Sequence, residues 1–159
     1  MNHQPASPDN GLRVAFVTMH TSPLERAGTA DAGGMNVLIG ALARALGLLG
    51  VRVEFLTRRT DPGQSDLEEV APSVTLRRLP AGPPSPLPKS EIDQHIDEFR
   101  AGMEALEPYD LVHSHHWMSG VAALPVARAW GVPHVMTFHS VAAHPNSPLR
   151  DGEPPESPA

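Results

Sequence analysis

A glycine pair stands between two apolar segments near the start of the chain. Gly33 and Gly34 follow the run Val14 to Met19 and precede the apolar pattern Val37 to Leu49. Where a strand leads into a helix, a glycine pair leaves bare backbone open to a ligand. The unpaired N–H groups of the first helical turn, together with the positive end of the helix dipole, attract an anion. The pair therefore predicts a site for a phosphate or a sugar, and a simple tight turn is the alternative.

The residues beside the glycine pair add polar groups to the predicted site but do not form a nucleotide-binding motif. Asp31 precedes the pair, and Asn36 follows it with an amide that can donate to and accept from a hydroxyl group. Capping of the first helical turn is the other role open to Asn36. Neither G-x-G-x-x-G nor G-x-x-x-x-G-K-[ST] occurs at this point, so dinucleotide-binding and P-loop sites are not indicated.

Further polar side chains stand where the predicted strands end. In open parallel sheets, ligands collect at the carboxyl ends of the strands. The residues at or just beyond these ends are His20, Lys89, His113, His115, His116, His139 and Ser140. Scattered histidines would not be expected to share one edge, so the sequence predicts a binding site there. A cation is unfavourable at a helix start, so Lys89 is predicted to meet an anion.

The histidines leave a second chemistry open. His113 and His115 are two apart on a strand and point the same way, whereas His116 points the other way. An H-x-H pair begins the metal site of some hydrolases, but here it needs His139 or His20 as a further ligand, and no aspartate closes a later strand. A site without a metal is therefore favoured, and a metal-dependent hydrolase is the alternative.

The hydropathy pattern predicts alternating strands and helices. Continuous β-branched apolar runs are typical of strands buried on both faces, and a period of 3.6 residues indicates a helix. Strands are predicted at 12–19, 51–57, 74–79, 110–114 and 134–139, helices at 35–49, 89–106 and 117–130, and irregular segments at 58–72 and 80–88. This order predicts an α/β fold with a mostly parallel sheet covered by helices on both faces.

Finer expectations concern individual side chains. Ser90 is the predicted N-cap of the second helix, and Gly50 is the predicted stop of the first. The first helix is expected to bury a face made of Leu38, Leu42, Ala45, Leu46 and Leu49. The arginine pairs are expected to face solvent, namely Arg58-Arg59 and Arg77-Arg78.

Length and composition set the class of protein. With 159 residues and 17.0 kDa, one domain is expected at 12–144, between an N-terminal tail at 1–11 and a proline-rich segment at 145–159. The net charge of −6 argues against a general binder of nucleic acids or membrane surfaces. The absence of cysteine excludes thiolate metal sites and is compatible with the cytoplasm. No segment reaches the roughly 18 apolar residues of a membrane span, so a cytoplasmic protein is expected.

Several strings of the sequence together resemble a known family. They are HTSPLERAGTADAGGMNV at 20–37, LTRRT at 56–60, LPAGP at 79–83, YDLVHSHHWMSG at 109–120, GVPHVMTFHS at 131–140 and DGEPPES at 151–157. Their order and spacing are similar to those of the D-inositol-3-phosphate glycosyltransferases of mycothiol biosynthesis, within glycosyltransferase family 4. The resemblance covers nearly all of residues 12–159.

The resemblance implies a GT-B fold, in which two Rossmann-like domains face each other across a cleft. This chain would be the N-terminal, acceptor-binding domain, and the donor-binding domain, with magnesium if the enzyme uses it, would lie outside the chain. The reaction implied is retaining transfer of a hexosyl group, N-acetylglucosamine from its UDP-sugar, to an inositol phosphate or similar phosphorylated polyol. A non-catalytic module that binds a sugar phosphate is the alternative for the isolated chain, and a homodimer is left open.

The resemblance also implies roles for individual residues. His139 would contact the reacting sugar, and the donor would approach Arg26, Ala27 and Gly34. The acceptor would be surrounded by His20, Asp31, Ala32, Gly33, Gly34, Met35, Asn36, Lys89, His116 and Ser140. His116 stands where the family has tyrosine, and Ser140 where it has threonine. The exchange of tyrosine for histidine changes reach and adds a titratable group, so it leaves open a phosphorylated polyol other than inositol phosphate.

Overall fold

The computed structural model describes residues 11–25 and 33–139. Six strands form one sheet in the order β3-β4-β2-β1-β5-β6, and all neighbours are parallel except β3 and β4. The strands are β1 (Arg13–Val17), β2 (Arg52–Arg58), β3 (Leu67–Ala71), β4 (Val74–Leu79), β5 (Leu111–His115) and β6 (His134–Thr137). The helices are α1 (Gly34–Leu48), α2 (Lys89–Ile92), α3 (Ile96–Glu104) and α4 (Trp117–Trp130), and a 3-10 turn, Asp93–His95, joins α2 to α3. The predicted α/β fold is confirmed, whereas the predicted segments at 1–10 and 145–159 lie outside the described residues.

A hydrophobic cluster fills each face of the sheet. α3 and α4 supply residues such as Phe99 and Met118 to one cluster, and α1 supplies Ile39 to the other. The central strand β1 serves both, because its successive side chains alternate between the two faces. On the α1 face, the ring of Phe16 meets that of Phe55 edge-on, with centroids 5.6 Å apart.

The inward side of α1 differs from the predicted one. Its buried residues are Asn36, Ile39, Ala43 and Gly47, whereas Leu38, Leu42, Ala45 and Leu49 are exposed. Only Leu46 of the predicted face packs against the cluster. The reason is steric, because a Cβ at Gly47 would lie 2.8 Å from the carbonyl oxygen of Pro72. Small residues let the helix approach the sheet, so the leucines face outward. The predicted stop at Gly50 is confirmed by its φ of 82°.

Two further segments differ from expectation. The segment at 58–72, expected to be irregular, contains the edge strand β3. Three of its five residues are exposed, two of them glutamates, so the strand shows no apolar alternation. The predicted helix at 89–106 is divided into α2, a 3-10 turn and α3. The N-cap of α2 is Pro88, so Ser90 lies inside the helix and does not cap it.

The parallel strands bring their carboxyl ends to a single edge of the sheet. β1, β2, β4, β5 and β6 all run in the same direction, so the residues that follow them lie along that edge, which we call the carboxyl edge. The start of α1 and the start of α4 lie there as well, because each helix follows a strand. Within the described ranges, no helix is both long and apolar enough to cross a membrane.

We predict opposite effects of alanine at two glycines of α1. Gly47→Ala places a Cβ against the backbone of Pro72 and is expected to lower the free energy of unfolding by about 1–3 kcal/mol. Gly40→Ala meets only the end of the Arg44 side chain, at 3.7 Å, and is expected to raise it by about 0.5–1 kcal/mol. Urea denaturation of both variants measures these changes. Equal effects at the two positions would contradict the packing of α1.

Candidate functional site

The turn after β1 is held at the carboxyl edge by hydrogen bonds from two other elements. The hydroxyl of Thr57, at the end of β2, donates to the carbonyl oxygen of Thr18 at 2.9 Å. The backbone N–H of Met19 donates to Oγ of Ser119, in α4, at 3.0 Å. All four side chains are nearly inaccessible to solvent. The position of the next residue, His20, is therefore determined by β2 and α4 as well as by β1.

Among the described residues, no side chain caps the N-terminus of α1. Its N-cap is Gly33, which has no side chain to offer, and its first turn holds no acidic residue. Cβ atoms built at Gly33 and Gly34 would meet no other described atom within 4 Å. Packing among the described residues therefore does not account for the glycines, and their bare backbone stays accessible to an incoming group. The N–H groups and the dipole of this helix end favour an anion.

Asn36 links the start of α1 to the turn after β1. Asn36 is 4% exposed, and its side-chain amide donates to the carbonyl oxygen of Ser22 at 3.0 Å. Oδ1 of Asn36 is buried and has no hydrogen-bond partner among the described residues. Because a buried acceptor without a partner is costly, this oxygen is a candidate contact for a ligand hydroxyl. Met35, by contrast, packs its side chain against the hydrophobic cluster and offers only its backbone.

His20 lies among three other basic side chains. Its ring stacks on that of His116, with centroids 4.1 Å apart. Burial, followed by the nearby charges of His116, Lys89 and His139, lowers the pKa of His20 to about 3. No acidic group is among these contributions. The four side chains therefore form a group at the carboxyl edge that disfavours additional positive charge and is suited to a negatively charged ligand.

The backbone of His116 is strained. It adopts φ 73° and ψ 152°, a region that residues with a Cβ rarely occupy. Its N–H donates to the carbonyl oxygen of Thr137 in β6 at 3.0 Å, and its carbonyl oxygen accepts from Gly120 in α4 at 3.2 Å. These bonds maintain a conformation that costs roughly 1–3 kcal/mol. The result is that the ring of His116 lies against His20 and not beside the strand histidines.

The strand histidines form a layer of their own. The rings of His113 and His115 stack with centroids 4.1 Å apart, which confirms that they share a face of β5. His113 Nε2 pairs with the hydroxyl of Thr137 at 2.9 Å, and His115 Nδ1 lies 2.9 Å from His139 Nε2. The pKa of His115 is lowered to about 3, chiefly by burial and then by the charges of His113 and His139. In the described part of the chain, no three His, Asp or Glu side chains converge to bind a metal ion. The described residues therefore do not supply the metal ligands that the alternative of a metal-dependent hydrolase requires.

Arg58 is a contributor that sequence reasoning missed. It was expected to face solvent, but it is 3% exposed at the end of β2. Its guanidinium donates from Nη1 to the carbonyl oxygens of Ala81 and Pro83, at 3.4 and 2.9 Å, and from Nη2 to that of Ser85, at 2.7 Å. These bonds hold the proline-rich segment that leads into Lys89. The signal was available in the sequence, since a segment with five prolines at 80–88 has few backbone donors and needs external ones.

The other three arginines of the two pairs differ in their exposure to solvent. Arg78 is buried, at 9% exposure, and pairs with Glu68 at 2.8 Å, so the expectation of exposure was wrong for it as well. Arg59 and Arg77 are partly exposed and pair with Asp66 and Glu54 respectively. The pattern reflects sheet geometry, because neighbouring strand residues point to opposite sides.

The predicted site residues fall into two sets. Those that the structure describes and places at the carboxyl edge are His20, Gly33, Gly34, Met35, Asn36, Lys89, His116 and His139. The others lie outside the described residues, namely Arg26, Ala27, Asp31, Ala32 and Ser140. The predicted roles in ligand binding stay predictions for both sets.

We predict that the chain loses stability in mild acid. His20 and His115 have pKa values of about 3 in the folded state against 6.5 when unfolded. Between these values the unfolded chain binds more protons, so the free energy of unfolding falls as pH is lowered, by about 1.4 kcal/mol per pH unit for each group. Urea denaturation at pH 7, 6 and 5 measures this slope before most carboxylates titrate. A free energy of unfolding that is constant over this range would contradict the burial of these rings.

We also predict that replacing Arg58 by lysine destabilises the fold. Arg58→Lys keeps the charge but offers one compact ammonium in place of a planar fork that reaches three carbonyl oxygens. The expected loss in the free energy of unfolding is about 2 kcal/mol. The matched change Arg59→Lys, at a partly exposed neighbour, should cost under about 1 kcal/mol. Similar losses in the two variants would refute the anchoring role.

Comparisons with known proteins agree with this architecture. A family model described as a glycosyl transferase 4-like domain matches residues 33–159. A curated protein of Arthrobacter sp. (strain FB24), called D-inositol 3-phosphate glycosyltransferase, is 47% identical over 150 residues, covering 91% of this chain and 36% of its own length. A protein of the same name from Thermobifida fusca (strain YX) is 44% identical over 150 residues, covering 91% of this chain and 35% of its own. The chain thus spans about one third of the length of these relatives.

A solved structure shares the fold. Sucrose-phosphate synthase from Thermosynechococcus elongatus matches with a TM-score of 0.77 at 28% sequence identity, covering 82% of this chain and 34% of that chain. The predicted fold class, a Rossmann-like half of the GT-B type, is confirmed, as is the resemblance to the D-inositol-3-phosphate glycosyltransferases. Since the family model covers most of the sequence, the chain belongs to the glycosyl transferase 4-like domain family.

Proposed function

We propose that this chain is the acceptor-binding domain of a retaining hexosyltransferase. The enzyme would move N-acetylglucosamine from UDP-N-acetylglucosamine to an inositol phosphate or a similar phosphorylated polyol. The observation that carries the proposal is the start of α1 at Gly33, which no described side chain caps, beside the basic side chains of His20, His116, Lys89 and His139. The names of the relatives support the same substrate class.

The acceptor phosphate is assigned to the cationic side of this site. The backbone N–H groups of Gly34 and Met35 offer donors, while that of Asn36 is already bonded to the carbonyl oxygen of Gly33. Lys89, the single lysine of the sequence, adds a cationic side chain. His116 adds a ring at the position where the family has a tyrosine. Since His20 is buried and its pKa is about 3, it meets the ligand as a neutral ring. A bound phosphate would accept hydrogen bonds from the N–H groups at the start of α1, and this would compensate for the lack of a side-chain cap.

The polyol ring is assigned to the neighbourhood of Asn36. Its buried Oδ1 can accept a hydrogen bond from a hydroxyl group, while its amide stays bonded to Ser22. A buried acceptor of this kind discriminates strongly against ligands that lack the matching hydroxyl. Asn36 would therefore orient the acceptor, and its contribution to catalysis would be positioning of the reacting hydroxyl.

The donor is assigned to the outer rim of the same site. Gly34 has no Cβ, and no other described atom lies within 4 Å of the place where one would be. Arg26 and Ala27, which precede it in the sequence, are the other predicted donor contacts. Relatives about three times as long have room for a second domain that would supply the opposite wall. In the transfer, the bond between the anomeric carbon and the UDP oxygen breaks, and a bond to the acceptor oxygen forms. The acceptor proton leaves with the nucleotide. This half would contribute binding and orientation.

The proposal predicts that Lys89 recognises the phosphate and not the polyol. Lys89→Ala should weaken binding of inositol phosphate about tenfold or more, because a charge-assisted contact contributes roughly 1.5–3 kcal/mol. Isothermal titration calorimetry on the 159-residue chain measures the affinity. Arg128→Ala removes the same charge from the exposed last turn of α4, at the far end of that helix, and should leave binding unchanged.

The same titrations test Asn36. Asn36→Ala should weaken the binding of inositol phosphate and of unphosphorylated inositol by the same factor. Lys89→Ala should weaken only the binding of inositol phosphate and leave the affinity for inositol unchanged. Thermal denaturation of Asn36→Ala checks that the loss does not come from unfolding, since its amide also bonds Ser22. Unchanged affinity for inositol phosphate in both variants would remove the proposed site.

A further inference from the structure

His115 and His139 share one proton across a short contact. His115 Nδ1 and His139 Nε2 are 2.9 Å apart, so one nitrogen must donate and the other accept. His115 is 1% exposed on β5, whereas His139 is exposed beyond the end of β6. The buried ring is therefore the fixed member of the pair, and the exposed ring is the one that a ligand can reach.

The surroundings of His115 decide which nitrogen carries the proton. Nε2 of His115 is buried and has no hydrogen-bond partner in the described part of the chain. A buried N–H without an acceptor is rarer and more costly than a lone pair without a donor. Nε2 is therefore the bare nitrogen, and the proton is on Nδ1. It follows that His115 Nδ1–H donates to His139 Nε2.

The ring of His115 is also held in its plane. It lies against the ring of His113, with centroids 4.1 Å apart and planes tilted by 36°, and makes a T-shaped contact with Phe16, with centroids 5.2 Å apart. His113 is itself fixed by its bond to Thr137. Burial lowers the pKa of His115 to about 3, so the ring keeps a single proton near neutral pH. A buried neutral ring with contacts to both His113 and Phe16 is a donor of well-defined direction.

We propose that His115 is a positioning residue that holds His139 in the Nδ1–H tautomer. With Nε2 of His139 occupied as an acceptor, its proton must be on Nδ1. Free neutral histidine in water favours the opposite tautomer, so the assignment is specific to this pair. This inference deepens the proposed function and rests on it for one consequence: His139 presents an N–H donor to an oxygen of the bound sugar or phosphate. It presents no basic nitrogen, so it does not act as a general base.

Nitrogen-detected NMR of the histidine rings tests the assignment. In the 159-residue chain labelled with 15N and held at pH 7.5, His139 should show its protonated nitrogen at Nδ1 and its bare nitrogen at Nε2. His115 should show the same tautomer. Protonation of His139 at Nε2, or an even mixture of tautomers, would overturn the proposal. No ligand is needed, so failure of inositol phosphate to bind would count against the proposed function and leave this result standing.

Three variants separate positioning from simple packing. His115→Leu removes the donor and should shift the tautomer ratio of His139 about tenfold toward Nε2–H. His115→Asn places an amide N–H near the position of Nδ1 and should restore the wild-type tautomer. His113→Gln changes the neighbouring ring but leaves the donor of His115 in place, so it should shift the tautomer ratio of His139 far less than His115→Leu does. Equal spectra of His139 in the Leu and Asn variants would contradict the donor role, and the wild-type and Asn spectra decide the matter if the Leu variant does not fold.

Discussion

The parallel pairing of β1 with both β2 and β5 is the constraint on which the carboxyl edge depends. Residues Val14 to Val17 are bonded on each side in register, so the chain must leave β1 between the ends of its two neighbours. The backbone N–H of Thr18 extends this pairing to Leu56, and the hydroxyl of Thr57 then closes the turn. His20 emerges beside the end of β5 for this reason, and contact with His116 follows. The geometry of the site is thus a property of the sheet and not of the loops alone.

The site combines positive potential with neutral rings. Histidines that were fully charged would repel one another at these distances, and burial prevents this by lowering the pKa values of His20 and His115. The open end of α1 and Lys89 then supply attraction for an anion without a change of protonation in these two rings. Two unfavourable features of the fold accompany this arrangement, namely the strained backbone of His116 and an Oδ1 of Asn36 without a hydrogen-bond partner among the described residues. Such costs are typical where binding and stability compete.

Sequence patterns predicted the sheet well because its central strands are buried on both faces. β4 and α4 agree with their predicted bounds, and the strand-end positions of the histidines followed from parallel topology alone. The patterns failed where small or polar residues carry the packing. α1 turns Ala43 and Gly47 toward the sheet, so the buried face of this helix that the leucine pattern predicted was wrong. β3 is an exposed edge that needs no apolar alternation, and Arg58 is buried because carbonyl oxygens of a distant segment surround it. Contacts between segments far apart in the chain leave no local pattern to detect.

The composition around Lys89 has a practical consequence. Since eleven of the 12 basic Lys and Arg residues are arginines, Lys89 carries the only side-chain amine in the chain. Reagents that acylate amines do not modify guanidinium groups under the same conditions, because arginine stays protonated. A fluorophore carried by such a reagent would therefore attach to this protein at the proposed phosphate site and at no other side chain. Acylation also removes the positive charge of Lys89, so the rate of labelling would report whether a bound phosphate protects this amine.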